Sequence, residues 1–198
     1  MDSGSAPRRV DRRCGAAGRR GERGSALVEF VLILPILTAL VFGMIEFGMA
    51  FNDNIALRQG VREAARQGAV GNFGPAPTTG APCHLTGAST ASTNMKSLMC
   101  LAKSRIGLDS SKTRVKVLSG ASDFSSTGTF AKAESIIVCA QYPLDSITGL
   151  FASIIGHSFL RTKTSMRVEL SDVVATPGEE IAPTGSDWSW CTVSSNSP

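Results

Sequence analysis

At 198 residues, 42% of them apolar, the chain has room for one folded domain with appendages rather than for two cores. A net charge of +4 and a pI near 9.0 would suit a nucleic-acid or acidic-lipid partner if the charge formed a face. It does not: residues 1–24 hold seven arginines against three acids, the rest is formally neutral, and no basic patch interleaved with aromatics occurs, so nucleic-acid binding is excluded from the expected functions.

Residues 1–24 therefore read as a basic cytoplasmic leader, and the next segment is a membrane run. From Ala26 to Phe51 the only charges are Glu29 and Glu46, and Phe30 to Ile45 has none. As a helix this run is roughly 39 Å long, against about 30 Å for a hydrocarbon core. We assign residues 25–51 to a transmembrane helix, with Pro35 expected to kink it. No lysine or arginine occurs after the run until Arg58, so the positive-inside rule places the N-terminus in the cytoplasm and the remainder outside. A cleaved secretory signal is the alternative, with a small-x-small site at Gly48-Met49-Ala50, but its apolar core is normally about 7–15 residues long and lacks an acid at its entrance. The Arg19-Arg20 pair lacks the apolar residues that come after it in a twin-arginine signal.

Past the membrane, Leu57, Val61, Ala64, Ala65 and Gly68 recur on one helical face while Arg58, Arg62, Glu63 and Arg66 lie off it. This predicts an amphipathic extension over residues 52–70, so that one helix runs from about Ser25 to Ala69.

The stretch Arg23-Gly24-Ser25-Ala26-Leu27-Val28-Glu29-Phe30 resembles the cleavage site of a type IV prepilin: a basic leader ending in Gly, a small residue, then an acid four positions on. With the adjoining "VLILPILTALVFGMIEFG" it is similar to TadE-like proteins of the tight adherence (Flp) pilus system, whose apolar run contains Pro and ends in a G-x-x-E-F-G pattern, here Gly43 to Gly48. The likeness extends from about Arg20 to Gly71, with only a weaker echo in "VCAQYPLDSITGLF" and "MRVEL". It implies cleavage between Gly24 and Ser25 by a membrane-embedded prepilin peptidase, and partners among other pilin-like subunits, an inner-membrane assembly platform and membrane lipid. It also implies a single-pass protein of the cytoplasmic membrane, its head extracytoplasmic, serving as a minor pseudopilin in pilus biogenesis and cell adhesion. Physics gives Glu29 a matching role. Ser25 and Glu29 are i and i+4, so the amine freed by cleavage and the carboxylate share a helix face about 6 Å apart. A lone mid-membrane carboxylate costs about 2.5–3.5 kcal/mol on insertion scales, and an amine from the same or a neighbouring subunit would reduce that cost and set axial register. Without such a partner, Glu29 would merely snorkel to the headgroups. Glu46 reads as reaching the outer interface, or as pairing with Arg58 or Arg62 of a neighbour.

Cys14 stands alone in the leader, whereas Cys83, Cys100, Cys139 and Cys191 all lie beyond the membrane run. Four cysteines on the exported side suit two disulfides in any of three pairings, or free buried thiols. With no C-x-x-C, a zinc site is not expected even with His84 beside Cys83. Residues 71–94, rich in Gly, Pro, Ser and Thr, read as a loop or linker. Met95, Leu98, Met99, Ala102 and Ile106 then mark a helix, with Asn94 as N-cap and Gly107 as stop. Strands come next in "TRVKVLS", in "ESIIVCAQY" closed by Pro143, and in "FLRTKTSMRVEL". In the last, Leu160, Thr162, Thr164, Met166, Val168 and Leu170 face one way. Such alternation predicts an antiparallel sheet with one covered and one wet face. Between strands, "LDSITGLFASIIG" reads as a short apolar helix, or as a loop that packs on the long helix or dips toward lipid. A polar turn is expected around Gly120 to Gly128. Residues 95–175 would form the head, and 176–198 an irregular tail pinned by Trp188, Trp190 and Cys191. The fold class is α+β: a long N-terminal transmembrane helix with a small antiparallel-sheet head.

An enzyme is not expected. His84 and His157 sit in no H-E-x-x-H or G-x-S-x-G context, no P-loop or G-x-G-x-x-G opens a helix, and Asp109, Asp123 and Asp145 lie where turns favour aspartate. No cofactor is implied. An uncleaved, signal-anchored surface protein with a binding head is the alternative to the pseudopilin.

Overall fold

The computed structural model describes residues 19–75, 83–119, 129–130, 134–146, 148–149, 152–156, 158–169, 173–174 and 176–192. The chain divides into two compact units, Met1–Met44 and Ile45–Pro198.

The first unit is the N-terminal part of α1 (Arg19–Ala69). The helix starts before the expected Ser25, since the arginines and glutamate just ahead of it are good helix formers. Pro35 lies inside α1, which is assigned unbroken across it. Large apolar side chains from Leu27 to Met44 are 36–71% exposed. An apolar surface of that extent needs lipid or other helices around it. The most apolar window of the helix, with a mean hydropathy of 2.5, buries nothing against the rest of the chain, which makes α1 compatible with a single-pass membrane anchor.

The second unit holds the end of α1 and an α+β head. Its elements are α2 (Thr93–Ile106), β1 (Arg114–Ser119), β2 (Thr129–Phe130), β3 (Ser135–Pro143), α3 (Ala152–Ile155), β4 (Phe159–Arg167), β5 (Val173–Val174) and β6 (Gly178–Glu179). β4, β3, β1 and β6 lie side by side in that order, all antiparallel, and β2 pairs with β5 in a separate ribbon. The central register sets Val117 of β1 opposite Val138 of β3, which in turn opposes Thr164 of β4.

One face of this sheet carries the main core. Leu57, Val61, Ala64 and Ala65 of α1 meet Met95, Leu98, Met99, Ala102 and Ile106 of α2 over Val115, Val117, Ile136, Val138 and Ala140. Both helical stripes are those the 3.6-residue period marks out. Glycine permits the closest approach: a Cβ on Gly60 would come within 2.6 Å of the Ile106 backbone. α2 ends as expected at Gly107, in the left-handed region at φ 70°. Its N-cap is Ser92 and not Asn94: Ser92 is extended and its Oγ accepts from the Met95 N–H at 3.4 Å, leaving Asn94 inside the first turn.

The opposite face of the sheet departs from the expected wet surface. β4 alternates as read, with Arg161, Lys163, Ser165 and Arg167 exposed and Val168 just beyond it buried, but Ile136 to Gln141 of β3 are buried on both sides. The tail supplies the cover. Trp188 and Cys191 pack on Leu118, Ile137 and Cys139, and the Cys139–Cys191 disulfide closes the contact. Arg161 donates to Ser186 and lies over the Trp190 ring at 5.8 Å, while Lys163 donates to the Thr192 carbonyl. Residues 178–192 thus form a layer on the sheet that also contributes β6.

Residues 83–92 form a loop that packs on the head. Lacking helix or strand, it still buries Ala88 and Ala91 in the main core and is bonded to α2 by Cys83–Cys100. In the described part of the apolar stretch after β3, the Gly149 N–H donates to Ser146 Oγ, and the single turn of α3 comes next. Ile147, Leu150, Phe151, His157 and Leu170, the turn expected at 120–128, and Cys14 with residues 1–18 lie outside the described residues.

Candidate functional site

Gly24, Ser25 and Glu29 all lie on α1 and are all exposed. A glycine inside a helix costs about 1 kcal/mol relative to alanine, so it normally has a packing reason. Gly60 and Gly68 have one, with head atoms within 3 Å of an added Cβ, whereas around Gly24 there is nothing within 4 Å. The fold itself does not call for a glycine at position 24. Cutting the Gly24–Ser25 bond inside a helix would also strip the new first turn of the carbonyls that its N–H groups bond. Glu29, one turn beyond Ser25, has no hydrogen bond or ion pair among the described residues, so its carboxylate is available to a group from outside this chain. These three residues are brought together by helical spacing alone.

Glu46 behaves differently: in place of the expected pairing with Arg58 or Arg62 of a neighbour, its carboxylate is held within its own chain. It is only 5% exposed, because it falls on the same side of α1 as Leu57, Val61 and Ala64, the side facing the head. Its Oε1 accepts from the Ser146 hydroxyl at 2.6 Å, from the Thr148 N–H at 3.0 Å and from the Thr148 hydroxyl, while Oε2 is buried without a partner among the described residues. The head loop therefore shields an acid that would otherwise face an apolar environment. The partners lie 100 and 102 residues away along the chain. Only the hydroxyls in "DSITG", unusual in so apolar a stretch, hinted at them.

The four cysteines that follow α1 pair as Cys83–Cys100 and Cys139–Cys191. Beside the first lies a buried ion pair that no sequence motif announces. Lys103 Nζ donates to Glu180 Oε1 at 2.8 Å, to the Ser110 carbonyl at 3.0 Å and to the His84 carbonyl. Burial pushes the Lys103 pKa down, opposed by the charge of Glu180. Glu180 also accepts from the backbone N–H of Thr86 at 2.9 Å and of Val115 at 2.8 Å. One carboxylate thereby ties α2, the 83–92 loop, β1 and the tail together. Lys103 could have been suspected, since it sits four residues after Met99 on the apolar side of α2.

Residues 24–66 match the family model described as TadE-like protein. This segment is similar to that family. No curated protein and no solved structure matches the chain. The TadE-like segment starts at Gly24 itself and takes in Glu29, Glu46 and the amphipathic stripe up to Arg66.

Proposed function

We propose that this protein is a minor pseudopilin for assembly of a Flp-type pilus, matured by a prepilin peptidase that cuts between Gly24 and Ser25 from the cytoplasmic side. The observation that carries the reading is the TadE-like match, which begins at a helical glycine that packing does not require. The leader stays in the cytoplasm and the disulfide-bonded head lies outside the cytoplasmic membrane. After cleavage the Ser25 amine and the Glu29 carboxylate occupy one face of the helix, and their pairing, within a subunit or between neighbours, sets the axial register of assembly. The head makes the subunit bulkier than a bare helix, which suits a minor component that primes or modulates the fibre.

N-terminal sequencing of the protein from its native host tests the cut. Ser25 is the expected first residue, and Met1 would instead leave an uncleaved signal-anchored protein. Glu29→Ala should be processed normally yet join the pilus assembly at least tenfold less well. Normal incorporation of that variant would remove the register role.

A further inference from the structure

The side of α1 that faces away from the head carries an ordered pattern of its own. At about 100° per residue, Ile55, Arg58, Arg62, Arg66 and Val70 fall within an arc of about 120°, opposite the buried Glu46, Leu57 and Ala64. The three arginines are exposed, and Ile55 and Val70 are 41% and 44% exposed. Spaced at i, i+4 and i+8, the arginines form one row with steps of about 6 Å.

Among the described residues none of the three has a carboxylate partner. The ion pairs engage Lys103, Lys112 and Lys116. Glu63, the nearest acid in sequence, accepts instead from the Gln67 amide at 2.8 Å, and Glu46 is held by its own head.

We propose that this row docks the acidic face of a helix from a different pilin-like subunit, one whose acids recur about every four residues. The inference rests on the pseudopilin reading above. Lipid headgroups fit poorly. Arg58 and Arg66 lie about 10 and 22 Å beyond Phe51 along the helix, whereas the headgroup layer is only about 5–8 Å deep on each side, and a tilt of about 20° barely shortens those distances. A second copy of this chain fits no better. The acids that α1 carries past the membrane, Asp53 and Glu63, are half-buried and ten residues apart, so two such helices side by side would set arginine against arginine. A partner helix with acids at i, i+4 and i+8 matches the row in length, rise and sign.

The test uses the full-length protein in its native host, with a benzophenone amino acid in place of Arg62 and, separately, of Leu40 in the apolar run. Irradiation should join position 62 to a different pilin-like subunit, within a segment bearing acids four residues apart. The yield should fall at least tenfold in Arg58→Glu/Arg66→Glu and persist in Arg58→Lys/Arg66→Lys. An adduct to lipid, an adduct to a second copy, equal loss in the lysine variant, or no adduct at 62 while position 40 still captures pilin-like subunits would each overturn the docking and leave the pseudopilin reading standing. Absence of pilin-like adducts at both positions would overturn both.

Discussion

Lys103 and Glu180 show how much a single buried pair can control. Removing one partner of a buried ion pair leaves an uncompensated charge and typically costs about 3–5 kcal/mol. Lys103→Met should therefore lower the unfolding free energy of the detergent-solubilised protein by about that amount in urea titrations. Glu180→Leu should cost more, since it also orphans the backbone N–H groups of Thr86 and Val115. Two exposed turns should respond to acid. The Ser111 hydroxyl and N–H hold the Asp109 carboxyl below the usual aspartate range, and Ser189 does the same for Asp187. A lowered folded pKa means stability that is fully present above the unfolded value and is lost as pH falls through the folded one. Both turns should thus be indifferent to pH above about 5 and loosen progressively below about 4, as hydrogen exchange at the Ser111 and Ser189 amides would report.

Among elements, α1 combines two kinds of surface, and its glycines tell them apart. Gly60→Ala would drive a Cβ into the backbone of Ile106 and should destabilise by about 1–3 kcal/mol. Gly68→Ala meets only the side-chain ends of Ile136 and Leu98, so a smaller cost is expected. Gly24→Ala meets nothing and should leave stability unchanged or raise it by up to about 1 kcal/mol. Thermal unfolding of the three variants in one detergent checks that order. A different ranking would undo the argument that Gly24 serves something outside the fold. The helical elements were legible because their apolar periods are local: the stripe from Leu57 to Gly68 and the face from Met95 to Ile106 pack as spaced. The Ser92 cap was not, because Ser92 and Asn94 are both good capping residues and only the backbone conformation chooses between them.

For the molecule as a whole, two covalent links hold loop and tail to the head. In the chain-entropy account, a cross-link spanning 17 residues contributes about 3 kcal/mol and one spanning 52 residues about 4 kcal/mol. Cys139→Ser/Cys191→Ser should therefore lower stability more than Cys83→Ser/Cys100→Ser. It should also expose Trp188, seen as a red-shifted fluorescence, because the tail would lose its attachment over β3. The four-residue relation of Ser25 to Glu29, the apolar run, the two helical stripes and the alternation of β4 were all determined by the sequence itself, since each depends on neighbours within about one or two turns or strand steps. Tertiary structure alone decided that Cys139 pairs with Cys191, that the tail covers the second face of the sheet, that Lys103 meets Glu180, and that Glu46 bonds Ser146 and Thr148. Those partners lie 52 to 102 residues apart. No local periodicity links such positions, and only the closure of the chain around its core brings them within hydrogen-bonding or bonding distance.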